Sequence, residues 1–230
     1  MNDGPIAIGD PGPDTSVPLL TEAPPMDLPR GATLNGDCSV TLTLDYPKAL
    51  KFRTPGSEFV VREEPITQLV LRRLTGADVR KMIAAKNAVQ MALALSSCMG
   101  LAKLSLLVQV MDATDEAAAN EVVSELLGGF GPELPARAEE TPEGITLKLW
   151  QPAADEEGTV HAEIAFKRLT AAQRRQAADA PNLLDWGVSL STGMTPKLAK
   201  TLVDSMDGAD AMAVNQVILF LCGSGRRAGR

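Results

Sequence analysis

Two pairs of carboxylates, Asp112 with Asp115 and Asp207 with Asp210, recur at one spacing in two parts of the chain and are the first candidates for chemistry. Paired acids do acid–base work or hold a hard cation only when neighbours shift a pKa or complete a ligand shell. The neighbours here are Ala, Thr, Gly and Met, so N-capping of a following helix accounts for both pairs. The single histidine, His161, lies in an alternating segment and reads as a half-buried strand residue rather than a base or a ligand. Cys38, Cys98 and Cys222 are odd in number, far apart and outside any metal-ligand spacing, which fits thiols in a reducing compartment, buried as small hydrophobes. Gly128-Gly129-Phe130-Gly131 follows a helical pattern, whereas a phosphate loop precedes a helix, so its glycines read as helix termination. No cofactor, metal or catalytic residue is expected.

The basic residues are more informative because they recur. Arg72-Arg73 and Arg80-Lys81 return as Lys167-Arg168 and Arg174-Arg175 in a chain whose net charge is -7. A solvated face is the plainer account of them. The sharper one is a docking surface for an acidic or helical partner, which makes Arg72, Arg73, Arg80, Lys167, Arg168 and Arg175 the candidate partner-binding residues.

The elements that would position these residues are also written twice. Arg73-Leu74-Thr75 returns as Arg168-Leu169-Thr170, and the match runs without a gap to Leu126 with Leu221 and Gly128 with Gly223. About twenty identities in roughly sixty-four aligned positions indicate an internal duplication. Thr75 and Thr170 stand where the hydrophobic period changes, each followed three residues later by Asp78 or Gln173, the spacing of a capping box. Asn87 and Asn182 mark a bend in both copies, with Pro181 forcing a break in the second. Leu101, Leu104, Val108 and Met111 share one helical stripe; in the second copy Thr195-Pro196 begins that helix. Before each helical block the alternation of Val40 to Leu44, Ala49 to Phe52, Phe59 to Val61 and Ile66 to Leu71 predicts short strands with a turn at Thr54 to Ser57. Ile145 to Trp150 and Val160 to Phe166 repeat them around a loop from Pro152 to Gly158.

The fold class expected is therefore α+β, with two tandem homologous modules, each a small antiparallel β-sheet or hairpin followed by three to four short α-helices. Residues 1–36, rich in proline, read as a flexible tail whose Val17-Pro18-Leu19-Leu20 could dock a partner. Residues 37–131 form the first module, 132–143 a linker, 144–224 the second module and 225–230 a basic flexible end. Hydrophobic residues at 45% support a core, and aromatics at 3% require it to be built from Leu, Val, Ala and Met. The acidic balance disfavours nucleic acid and anionic membranes, and no stretch of about twenty apolar residues runs without a charge or break.

The segment from Ile66 through Arg72-Arg73-Leu74-Thr75-Gly76-Ala77-Asp78-Val79-Arg80, the Ala-rich helix after it and the closing Met111-Asp112-Ala113-Thr114-Asp115 to Leu127-Gly128 resemble the small tail-assembly chaperones of Mu-like phages and prophages. That resemblance implies a non-enzymatic protein of the host cytoplasm which binds the tape-measure protein, keeps it soluble and helps tail-tube subunits polymerise around it. Family members usually have one copy of the module, whereas this chain has two, so the fused pair could replace self-association. An adaptor retained in the tail is the alternative.

Overall fold

The computed structural model describes residues 26–53, 60–129 and 134–223. Within them the chain is an α+β protein of two three-stranded antiparallel sheets and eight helices. β1 (Ala32–Leu34), β2 (Val40–Arg53) and β3 (Val60–Leu71) form the first sheet in that order, followed by α1 (Gly76–Ala84), α2 (Ala88–Ser96), α3 (Leu101–Val110) and α4 (Ala113–Leu126). The order is then repeated: β4 (Ala138–Glu140), β5 (Gly144–Ala154) and β6 (Val160–Lys167), then α5 (Ala171–Ala178), α6 (Leu183–Thr192), α7 (Pro196–Ser205) and α8 (Gly208–Leu221).

Strand alternation buries Val40, Leu42 and Leu44 from β2 and Leu69 and Leu71 from β3, with Ile145, Leu147, Ile164 and Phe166 in the second sheet. Leu93, Leu104, Leu107, Val122, Val188, Leu202 and Val217 close over them from the helices, and all belong to one continuous hydrophobic cluster. Both capping boxes form: the Thr75 hydroxyl accepts from the Asp78 amide and the Thr170 hydroxyl from the Gln173 amide, while the third residue reaches back each time. Asn87 and Asn182 cap α2 and α6, and Thr195 caps α7 with proline at its start. Gly128 and Gly223 end α4 and α8 at φ of 73° and 87°, the left-handed conformation that glycine takes without steric cost.

Several expectations change. Part of the supposed tail is built into the fold: Met26 and Leu28 pack on the core and β1 pairs with β2. The supposed linker contains β4, which pairs with β5. One device produces both strands, a turn in which the Pro29 carbonyl accepts from the Ala32 amide at 3.1 Å and the Pro135 carbonyl from the Ala138 amide at 2.8 Å. The prolines taken for spacers thus start the third strand of each sheet. β5 also runs through Pro152, so the connection to β6 is shorter than its composition suggested. The cysteines are not buried: Cys98 is exposed, Cys38 and Cys222 are intermediate, and the first two occupy left-handed backbone at turns. The proposed docking run Val17 to Leu20, the turn Thr54 to Ser57, Phe130 to Gly131 and the basic end 225–230 lie outside the described residues.

Candidate functional site

The repeated acids divide into two jobs. Asp112 and Asp207 cap α4 and α8, accepting from the amides of Thr114 and Ala209 at 2.9 and 3.0 Å. Asp115 and Asp210 do something the sequence did not disclose. Pairing slips between Thr43 and Lys48 in β2 and between Lys148 and Ala153 in β5, which frees backbone amides from the ladder. The buried Asp115 carboxylate accepts from Asp45 and Tyr46 at 2.8 and 3.1 Å, and the buried Asp210 carboxylate from Trp150 and Gln151 at 2.8 and 3.0 Å. Each acid pins a helix to a strand irregularity, so capping explains only half of the acidic pattern. Arg137 also pairs with Asp210 and lies 5.2 Å over the Trp150 ring. Glycine, Gly31, occupies the corresponding place in the first sheet: its carbonyl accepts from Thr43 as that of Arg137 accepts from Lys148.

The N-terminal basic corner is docked within the chain. Thr75 forms an antiparallel bridge with Asp207; the Gly76 amide donates to the Met206 carbonyl at 2.9 Å and the Gly208 amide to the Leu74 carbonyl at 2.8 Å. Arg73 grips both oxygens of Asp207, through Nε at 3.0 Å and Nη2 at 2.7 Å. Its Nη1 is buried with no hydrogen-bond partner, so part of the desolvation cost of this arginine is uncompensated. Arg80 takes Asp185 with Nε and Nη2 at 2.9 and 2.8 Å and Asp204 with Nη1 at 3.0 Å. Burial pushes the Arg80 guanidinium down, but the two carboxylates outweigh it and hold its pKa above the ordinary value. Arg72 stays within its own half, donating to Asp78 at 2.9 Å and to the Arg73 carbonyl at 2.8 Å.

Two glycines permit this approach. A Cβ on Gly76 would lie 1.7 Å from the Val203 carbonyl oxygen, and one on Gly208 would lie 2.5 Å from the Leu74 carbonyl oxygen. Ala171 at the start of α5 and Ala113 at the start of α4 are both exposed.

At the C-terminal corner Lys167, Arg168 and Arg175 face solvent. Arg168 donates to Glu140 at 2.9 Å and to the Pro142 carbonyl at 3.0 Å, beside a shallow pocket lined by Leu169, Arg174, Phe220 and Gly223. Of the six candidate residues, the structure therefore brings Arg73 and Arg80 together in the junction, keeps Arg72 beside it, and leaves the other three at a separate surface. His161 sits on β6 with Nε2 3.0 Å from Asp155, and hydrogen bonding from that ring holds the Asp155 carboxyl below its ordinary value. Among the described residues no group of three or more His, Cys, Asp or Glu could hold a metal ion, and no single helix is long and apolar enough to cross a membrane.

The junction residues that sequence reasoning missed are Gly76, Gly208, Asp185 and Asp204. A signal for them existed in the comparison of α4 with α8. Ala211 and Met212 stand where α4 has Glu116 and Ala117, which leaves α8 apolar on nearly every side and therefore in need of a cover. That cover is α1. Comparisons with family models, curated proteins and solved structures found no match to this chain.

Proposed function

We propose that this chain consists of two tandem homologous modules and acts as a phage tail-assembly chaperone, binding the tape-measure protein and helping to recruit tail-tube subunits in the host cytoplasm. The observation that carries this reading is the junction. Two blocks with the same internal fittings, the Thr-capped helix and the carboxylate on a strand bulge, are joined through Arg73, Arg80 and the facing acids of the other half. Such a chain is a ready-made pair. It presents helix faces to partners, and it makes a separate self-association step unnecessary.

The motif from Ile66 to Arg80 and the closing Met111 to Gly128 supply the link to tail assembly. Quantitative mass spectrometry of infected-cell extracts and purified particles tests the reading. A chaperone is abundant in the extract and absent from the particle. Stoichiometric recovery in particles would replace the chaperone with a retained tail adaptor.

A further inference from the structure

The triplet Arg-Leu-Thr begins a capped helix twice, and the first occurrence is a filled socket. There the segment from Met206 to Ala209 arrives antiparallel. The Gly76 amide donates to the Met206 carbonyl, the Gly208 amide donates to the Leu74 carbonyl, and Arg73 takes the Asp207 carboxylate through two hydrogen bonds. The Ala209 methyl lies 3.5 Å from where a Cβ on Gly128 would stand, so the segment runs past the left-handed end of α4. An acid, a glycine and a small apolar residue, in that order, fill the site.

At Arg168-Leu169-Thr170 the same groups are open. Among the described residues no backbone–backbone hydrogen bond uses the Leu169 carbonyl or the Ala171 amide. Beside them is a cavity of about 180 Å³ lined by Arg168, Leu169, Arg174, Phe220, Leu221 and Gly223, the glycine that ends α8 as Gly128 ends α4. Arg174 makes no ion pair with a described residue, and Arg168 pairs with a Glu140 side chain that is 42% exposed, a contact that a second carboxylate can replace at little cost. The C-terminal end of α8 favours a cation at Arg174 but supplies no carboxylate. Six residues after its arginine and three before its glycine the filled corner has Val79 and Glu125, where the open one has Arg174 and Phe220. The open socket is thus the more positive and the more apolar of the two.

We propose that this corner binds an extended acidic peptide segment of a partner protein. Its carboxylate is held by Arg168 and Arg174, its backbone bridges to Leu169 and Ala171, and the apolar residue after its acid-glycine pair sits against Phe220 and Leu221. Ala171 follows Thr170 where Gly76 follows Thr75, and a Cβ on Gly76 would lie 1.7 Å from the Val203 carbonyl oxygen. A partner therefore reaches the open socket as a strand, without the helix that precedes Asp207 in the filled one. Another copy of this chain is a poor occupant. A Cβ on Gly208 would lie 2.5 Å from the Leu74 carbonyl oxygen, and the spare Met111-Asp112 of a second copy follows a helix and is itself followed by Ala113. The chemistry holds for any partner, whether or not it is a tape-measure protein.

The test uses the full chain, isotope-labelled, and a capped peptide copying residues 205–209 with Ala209→Leu. The expected result is amide shifts at Leu169, Thr170, Ala171 and Gly223. Affinity is expected to be about fivefold or more weaker for the Asp207→Asn peptide, for the Gly208→Ala peptide and for the Arg168→Gln/Arg174→Gln chain. Both arginines are exposed, so the double variant keeps the wild-type circular dichroism spectrum, and the two altered peptides test the same contacts on the unaltered chain. Absence of shifts, shifts at the Arg73 socket instead, or equal affinities would overturn the proposal. Acetate that gave the same shifts at the same affinity as the peptide would reduce the corner to a site for a bare anion and overturn it too. Concentration-dependent dimerisation of the wild type, abolished by the double substitution, would make a second copy the occupant with the same consequence. Solubilisation of a tape-measure protein is a separate readout, so the chaperone reading stands or falls independently.

Discussion

Arg73 and Asp207 hold each other through two hydrogen bonds, at 3.0 and 2.7 Å, across 134 residues of chain. Arg168, in the second Arg-Leu-Thr triplet, makes its ion pair with Glu140 at the surface instead. The same Arg-Leu-Thr triplet therefore stands in two electrostatic environments, because only Arg73 is covered by residues distant in sequence. Removing one partner of a largely desolvated pair strands the other, whereas an exposed pair contributes little. Arg73→Ala is expected to lower unfolding free energy by about 2–4 kcal/mol and Arg168→Ala by less than about 1 kcal/mol, measured by urea denaturation. Equal losses would contradict the asymmetry.

Gly76 gives a steric version of the same comparison. Gly76→Ala must open the junction or displace the Val203 backbone, at about 3 kcal/mol or more, while Ala171→Gly weakens only helix propensity, by about 1 kcal/mol. Thermal unfolding of the two variants checks this. The expected signature is a large drop in Tm for the first and a small one for the second.

Asp115 and Asp210 each accept two backbone amides, which an asparagine, having one acceptor oxygen, cannot reproduce. Asp115→Asn should cost about 1–3 kcal/mol for the amide left unsatisfied. Asp210→Asn should cost about 3–5 kcal/mol because it also strands Arg137. Hydrogen exchange at Trp150 and Gln151 should accelerate in the second variant. Unchanged protection there would mean that the carboxylate does not hold the bulge.

Asp78 provides a pH dependence. Burial raises its carboxyl pKa, but the Arg72 guanidinium and the Thr75 amide lower it by more, so the folded value lies below the ordinary one. The charged form is thus favoured by folding. Its contribution is present above the unfolded pKa, about 3.9, and is lost as pH falls through the folded value. Asp78→Gln, the residue of the second capping box, keeps the cap and removes the titration. The stability gap between wild type and variant should close as pH drops below about 4, and acid limbs that stay parallel would rule this out.

Local rules made much of the fold legible. Thr75, Thr170 and Thr195 cap helices where their spacing placed them, because a cap is decided within four residues, and Asn87 and Asn182, read as bends, are the caps of α2 and α6. β1 and β4 were hidden: three-residue strands have almost no period, and their starting signals, Pro29 and Pro135, resemble spacer prolines. The junction was harder to read: its one sequence signal is the apolar surface of α8. Arg73 and Arg168 are each followed by Leu-Thr and a capped helix, and the long-range cover over α8 separates a buried ion pair from a solvated one. Asp115 likewise carries no local mark of the strand amides it accepts, which lie 69 and 70 residues away.

The most direct test of the proposed function is co-expression with a phage tape-measure protein, followed by measurement of that protein's soluble fraction and of its co-purification with this chain. The account predicts that the tape-measure protein is largely insoluble alone and soluble and co-purifying when this chain is present. An unchanged soluble fraction, with no complex recovered, would contradict it.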